Sequence, residues 1–211
     1  MEHTAMELYT DLLRSRRLSL CSGIVLVFAF GVFAYAHLMG FQLTGEWMLL
    51  LFCFSEMLTA VFILSRTAPE SVSVLHYDWI VGIAGTLTPL FFRPSPWGIA
   101  PAAKYAICAG VVVQIAGLVS LNRSVAVVAA KREIKTKGLY RFVRHPLYVS
   151  HFLTFTGYVL MNTTIENLTV YAVTMGLLFV RVCREEKNLA MDPSYREYMQ
   201  RVAYRIIPFV Y

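Results

Sequence analysis

The chain has 211 residues, 57% of them apolar and 15% charged, with a mean hydropathy of +0.58. Soluble domains run at about 45–50% apolar and about 25% charged, so the composition excludes a disordered chain, a collagen and a small disulfide scaffold, and points to a protein dissolved in lipid. The formal charge of +6 is read as topological and implies no nucleic-acid partner, because membrane proteins keep basic residues on the cytoplasmic side.

Six apolar runs follow in chain order, at residues 18–39, 47–64, 74–92, 99–121, 147–161 and 168–182. A crossing takes about 20 residues, and a spanning helix satisfies its own backbone, so the runs predict an all-α polytopic bundle of about five or six transmembrane helices. The third run is interrupted by His76, Asp78 and Pro89, and the fifth is short; both predict tilted, partial or re-entrant helices. The first run follows Arg14, Arg16 and Arg17, and with Ala34-Tyr35-Ala36 it imitates a cleavable leader. Its apolar stretch exceeds the usual length and further spans follow, so a retained first span is expected.

Under this six-span scheme seventeen Lys and Arg fall on one face, leaving Arg93 and Lys104 on the other, which predicts both termini cytoplasmic. The whole chain reads as one membrane domain, with N-terminal spans over 18–121 and a more polar C-terminal half over 122–211. Cys21, Cys53, Cys108 and Cys183 lie in separate apolar stretches without C-x-x-C spacing, so they read as free thiols, neither zinc ligands nor a disulfide framework. The sequons at Asn122, Asn162 and Asn167 read as chance matches.

Charge concentrates in residues 122–145 and 181–205, separated by a nearly uncharged hairpin. Two helices joined by a tight turn return to the membrane face they left, so the two polar segments are expected to converge on one site. In the first, Pro146 suits the opening turn of a helix and biases His145 toward an extended backbone, which puts Arg144 and His145 at a helix N-terminus. The spot could seat an anionic ligand group or simply contact lipid headgroups. In the second, Arg181 and Glu185 are one helical turn apart and share a face, with Arg184 and Glu186 beside them. That cluster could orient a substrate or form routine ion pairs at a solvated helix end.

Taken in order, Gly138-Leu139-Tyr140, Arg144-His145-Pro146-Leu147-Tyr148, Glu185-Glu186, Tyr195, Tyr198 and Arg205-Ile206-Ile207-Pro208 resemble the C-terminal half of the isoprenylcysteine carboxyl methyltransferase family and the related phospholipid methyltransferases. The resemblance covers about residues 120–211. It implies S-adenosylmethionine as methyl donor, held at the cytoplasmic face, and a lipophilic acceptor entering from the bilayer, such as a prenylcysteine carboxylate or a related small lipid. Carried over by position, Gly138, Leu139, Tyr140, Arg144, His145, Tyr148, Glu185 and Glu186 line the donor site, and Arg181 and Glu185 match the pair implicated near the acceptor. The sequence departs from the family at Ser150, where a glycine is usual, and at Met191-Asp192-Pro193, which replaces Phe-Gly.

Methyl transfer from a sulfonium is an in-line displacement that needs alignment and a dry pocket and no metal. Two other classes fit the chain less well. An NADPH-dependent sterol- or steroid-type membrane reductase shares the tail pattern at 202–208, but the paired Glu185-Glu186 favours the methyltransferase. A transporter or lipid-binding protein would use Glu56 and Lys104 as a pathway, but the repeated halves common in transporters are not visible. Glu56 in the second run is either neutral and hydrogen-bonded or part of a substrate path. His37, His76 and His151 have no metal-ligand spacing and read as packed or interfacial.

Overall fold

The computed structural model describes residues 16–65, 71–72, 76–121, 130–131 and 136–206, with side chains from residue 25 onward, omitting 63–65 and 76 and those of the short strands. Asn122, Lys135 and the closing Ile207-Pro208 lie outside the described residues, as do the side chains of Cys21 and His76.

Helix α1 (Arg16–Thr44) ends where Gly45 turns to φ 72°, its amide donating to Phe41 O at 2.7 Å. A positive φ costs glycine little, so the helix stops there, five residues past the apolar run that predicted it. Helix α2 (Met48–Ser65) returns along α1. Helix α3 (His76–Leu87) is only twelve residues long and is continued by a 3-10 turn, Thr88–Phe91. A second 3-10 turn, Pro101–Ala103, leads into α4 (Lys104–Leu121), and a third, Gly138–Arg141, precedes α5 (Pro146–Met161). Helix α6 (Ile165–Leu189) and the short α7 (Pro193–Arg201) complete the chain, and a two-residue antiparallel pair joins Ser71–Val72 to Ala130–Lys131.

Three helices are long and apolar enough to cross a membrane, Val25–Thr44, Pro101–Leu121 and Ile165–Leu189, with a shorter apolar helix over Met48–Phe62. The interrupted third run nevertheless travels beside most of the last helix. Asp78 meets Arg184 near one end of α6, and the backbone at Arg93 meets Asn167 near the other. Seventeen helical residues separate those α6 partners, about 26 Å at 1.5 Å each.

Lipid tails are as apolar as leucine, so close packing rather than water exclusion must hold such helices together. The α4–α5 hairpin shows how. A Cβ on Gly110 would strike Thr154 Oγ1, one on Gly117 would strike Leu147, and one on Gly157 would strike Ile107 and the Ala103 carbonyl. Aromatic rings fill the adjoining core: Phe52 stacks on Tyr158 at 4.0 Å and meets Phe92 and Phe155 edge-on. Each such pair adds about 0.5–1.5 kcal/mol beyond simple burial. His37 closes the cluster, its Nδ1 against Phe33 O and its Nε2 against Tyr158 Oη, both at 2.9 Å. A carbonyl only accepts, so Nδ1 carries the proton and Tyr158 donates to Nε2. His37 is a packed histidine, as the sequence reading has it.

Across α2 and α4, Ser55 Oγ donates to Gln114 Oε1, and Gln114 Nε2 donates to Ser55 O and Thr59 Oγ1. Beside this network Glu56 is buried, its Oε1 without a hydrogen-bond partner among the described residues.

The end carrying residues 92–103 is fastened by neutral groups. Asn167 accepts from Arg93 N and donates to Arg93 O and Asn162 O, while Asn162 Oδ1 accepts from Ser95 N. Both asparagines are buried, so neither sequon is an accessible glycan acceptor. Cys53, Cys108 and Cys183 are free thiols.

Candidate active site

At the opposite end of the bundle, helix starts and stops bring the two polar segments together. Gly138 adopts φ 62°, and a Cβ there would overlap Ser120 at the end of α4. Glycine at 138 therefore serves a turn pressed against that helix. Pro146 occupies the first turn of α5, and His145 is extended at φ −130°, ψ 66°. Helix α6 runs on through the charges to Leu189, seven residues beyond its apolar run, because tertiary partners satisfy those charges. At the Met191-Asp192-Pro193 departure, Asp192 caps α7 by accepting from Ser194 N at 2.9 Å, with Pro193 at the first turn. At the other departure, Ser150 is buried and donates to Leu147 O.

Glu186 is the hub. Its Oε1 accepts from Arg144 Nε at 2.7 Å and lies 3.2 Å from His145 Nε2, and its Oε2 lies 2.5 Å from Arg205 Nε. Arg144 Nη1 also donates to the carbonyls of Val202 and Ala203, both at 2.8 Å. The backbone amides of Arg144 and His145 donate to the carbonyls of Tyr204 and Arg205. Arg144, His145 and Glu186 are all buried. They clasp the start of α5, the end of α6 and the tail into one unit. The Arg144 contacts made here are to protein groups, so Arg144 acts on the site by positioning what surrounds it.

Glu185 points to different neighbours. Its Oε2 accepts from Tyr148 Oη at 2.8 Å, which joins α5 to α6. One turn earlier, Arg181 Nη1 donates to Thr86 Oγ1 on α3 at 3.4 Å. The shared face expected of Arg181 and Glu185 is therefore present, with each reaching across to another helix.

Three phenols close the end of the bundle. Tyr198 Oη donates to Tyr140 O at 2.7 Å. Burial pushes the Tyr198 phenol up to about 12, against the pull of Arg144. Tyr140 and Tyr195 are raised further, by burial first and then by the carboxylates of Glu185 for Tyr140 and of Glu186 and Glu185 for Tyr195. All three remain protonated donors at neutral pH. Tyr195 is 4% exposed, and among the described residues its Oη has no hydrogen-bond partner.

The structure thus unites Tyr140, Arg144, His145, Tyr148, Arg181, Glu185 and Glu186 at one end, with Gly138 and Leu139 in the turn above α4. In the sequence alone Tyr195 and Tyr198 carry no assigned role, and Asp78 is only a break in a span. Asp78 is instead the buried partner of Arg184, at 2.7 Å. An acid one turn into a weak apolar run, facing an arginine at the end of another, is the signal that would have found it. Among the described residues no group of His, Cys, Asp and Glu could hold a metal ion.

Residues 102–197 match the family model of phospholipid methyltransferases. The chain is 37% identical over 90 residues to methanethiol S-methyltransferase 1 of Bradyrhizobium diazoefficiens, covering 42% of this chain and 30% of that protein. It is 36% identical over 80 residues to a methanethiol S-methyltransferase of Crocosphaera subtropica, covering 37% and 30%. It is 32% identical over 71 residues to the nickel-cobalt-cadmium resistance protein NccN of Alcaligenes xylosoxydans xylosoxydans, covering 33% of each. The chain spans about a third of the length of these relatives.

Proposed function

We propose, from the match of residues 102–197 to the family model of phospholipid methyltransferases, that the protein is a multi-pass membrane methyltransferase using S-adenosylmethionine and a lipophilic acceptor. The observation that carries this reading is the junction of Tyr148 with Glu185 next to the Arg144–Glu186 clasp. It joins two polar segments 37 residues apart in sequence at one end of the bundle.

The donor set fits this cofactor. The Glu185 carboxylate offers an anionic partner for a sulfonium or ammonium, and the buried Tyr195 Oη offers a hydrogen bond that no group among the described residues takes up. Gly138, Leu139 and Tyr140 would form one wall and Tyr148 with Glu185 the opposite one. Arg144, His145 and Glu186 would hold those walls in register from the outer end of the bundle. The donor supplies an activated methyl group, so the protein has only to align and to exclude water. Arg181, one turn toward the membrane, is placed to hold the acceptor in line, and its tether to Thr86 limits its motion.

The seventeen-to-two division of basic residues supports a cytoplasmic seat and cytoplasmic termini. Arg93 and Lys104 stand at the opposite end of the bundle. Calorimetry on the purified protein tests the donor: binding of S-adenosylmethionine but not of NADPH is the expected result, and the reverse would move the chain to the reductases. Labelled donor supplied with a prenylcysteine or with a lipophilic thiol then reports whether either accepts the methyl group.

A further inference from the structure

The bundle contains two well-placed histidines, and they differ in one respect. His37 has both ring nitrogens engaged. His151 on α5 stacks flat against Phe155, with centroids 5.3 Å apart and 12° between planes. Among the described residues neither of its nitrogens has a hydrogen-bond partner. Stacking fixes the plane of the ring and leaves its polar edge open.

Helix register places that edge. Helices α5 and α6 are antiparallel, with Tyr148 bonded to Glu185 near the seat and Thr156 bonded to Tyr171 farther down. One turn below the Tyr148–Glu185 junction, the two helices present His151 and Arg181 at one level. On the other side Phe52 of α2 meets Phe155 edge-on at 6.1 Å, so Glu56, one turn on, lies level with His151. The titratable groups around the ring are therefore Tyr148 on α5, Arg181 and Glu185 on α6, and Glu56 on α2. From α3 the neutral Thr86 approaches through Arg181, and α4 contributes the uncharged Gln114 at this level of the core.

An acceptor that enters from the bilayer meets the seat from below, at this layer. A carboxylate acceptor arrives without a proton and needs no base. A thiol must lose one. We propose that His151 is the proton acceptor for a thiol substrate, so that the acceptor class is a small lipophilic thiol rather than a carboxylate. The inference rests on the methyltransferase reading above. In the step, the thiol sulfur bonds to the methyl carbon while the carbon's bond to the donor sulfur breaks, its electron pair staying on the donor. The thiol proton passes to the open nitrogen of His151 and leaves later to water at the bundle end. Thioether, demethylated donor and one proton balance the thiol and the cationic donor.

The test uses the full-length protein and three acceptors: an alkanethiol, an arylthiol acidic enough to be ionised at pH 7, and a prenylcysteine carboxylate. Wild type is expected to methylate both thiols in preference to the carboxylate. His151→Gln and His151→Asn should lower kcat/KM for the alkanethiol on the order of 100-fold, within the usual range for losing a general base. The arylthiol rate should fall by less than about threefold, because its sulfur is already ionised, and affinity for S-adenosylmethionine should hold within the same factor. The ratio of the two thiol rates is internal to each sample and does not depend on the fraction folded. Equal losses for both thiols, no loss for either, or preference for the carboxylate overturns the assignment of His151 and leaves the methyltransferase reading standing. Failure of the wild type to bind S-adenosylmethionine would instead overturn that reading and this inference with it.

Discussion

The two ends of the bundle solve one problem with different chemistry. Each must tie a loop to a pair of helix ends without leaving buried polar groups unmatched. The end at residues 92–103 uses amides: Asn167 makes three bonds to backbone and Asn162 receives one more. The other end uses charge, with Arg144, His145 and Arg205 converging on Glu186. The amide end has its bonds made. Among the described residues the charged end still holds Tyr195 Oη without a partner and, one layer down, an imidazole with an open edge. Neutral groups suffice to fasten; a charged, incompletely matched end is equipped to bind and to react as well.

The sharpest way to break this contrast is a substitution that should stop chemistry without loosening the fold. Arg181→Ala is expected to reduce methyl transfer on the order of 100-fold through misalignment of about 1 Å, with donor affinity measured by calorimetry nearly unchanged. If instead an Arg181/Glu185 charge swap turns over as wild type does, both residues revert to a solvated ion pair and the charged end differs only in composition.

Next comes stability. Removing one partner of a buried ion pair costs about 3–5 kcal/mol, so Glu186→Gln should lower the midpoint of thermal unfolding in detergent more than any single change at the amide end. Asn167→Ala, which strands the backbone at Arg93, should cost about 1–3 kcal/mol. Its turnover per folded molecule should match wild type. A large loss of specific activity in Asn167→Ala would erase the distinction between fastening and reacting ends.

A smaller effect appears in alkali. The Tyr198 phenol is raised from its ordinary value near 10 to about 12 in the folded state. The folded protein therefore holds that proton more tightly than the unfolded chain. The associated stability is complete below pH 10 and is lost as pH rises from about 10 toward about 12. Two pH units correspond to at most about 2–3 kcal/mol. Unfolding followed against pH should show this loss in wild type and a shallower one in Tyr198→Phe. Single cysteines at Ser95 and Lys187 should label from opposite sides of sealed vesicles, and labelling from one side would cancel the topological reading.

The helical membrane architecture was legible because hydropathy reports lipid exposure directly: three helices over the predicted apolar runs are long and apolar enough to cross a membrane, and a fourth is a shorter apolar helix. Pro146 was legible too, since a proline after a polar segment fits a helix start on local sterics alone. The end of α6 was not. Hydropathy stops near Val182, while the helix continues because Asp78, Tyr148 and Arg144 supply partners from elsewhere in the chain. Asn162 and Asn167 carried only the look of a sequon, because an amide's role depends on which backbone lies across from it. His151 was passed over for the same reason. A lone histidine in an apolar run looks the same whether its nitrogens are taken, as in His37, or open.

The pairing of residues 144–145 with 204–205 also sets a timetable for biosynthesis. Arg144 leaves the ribosome about sixty residues before the carbonyls that its amide and guanidinium require. At roughly 5–20 residues per second, on the order of 3–12 seconds pass in which α5 and α6 can enter the membrane while Glu186 and Arg144 lack the strand that completes their clasp. A nascent chain stalled short of residue 202 would present an inserted bundle with an open seat. Emergence of residues 202–205, rather than insertion of α6, is the event that completes the clasp.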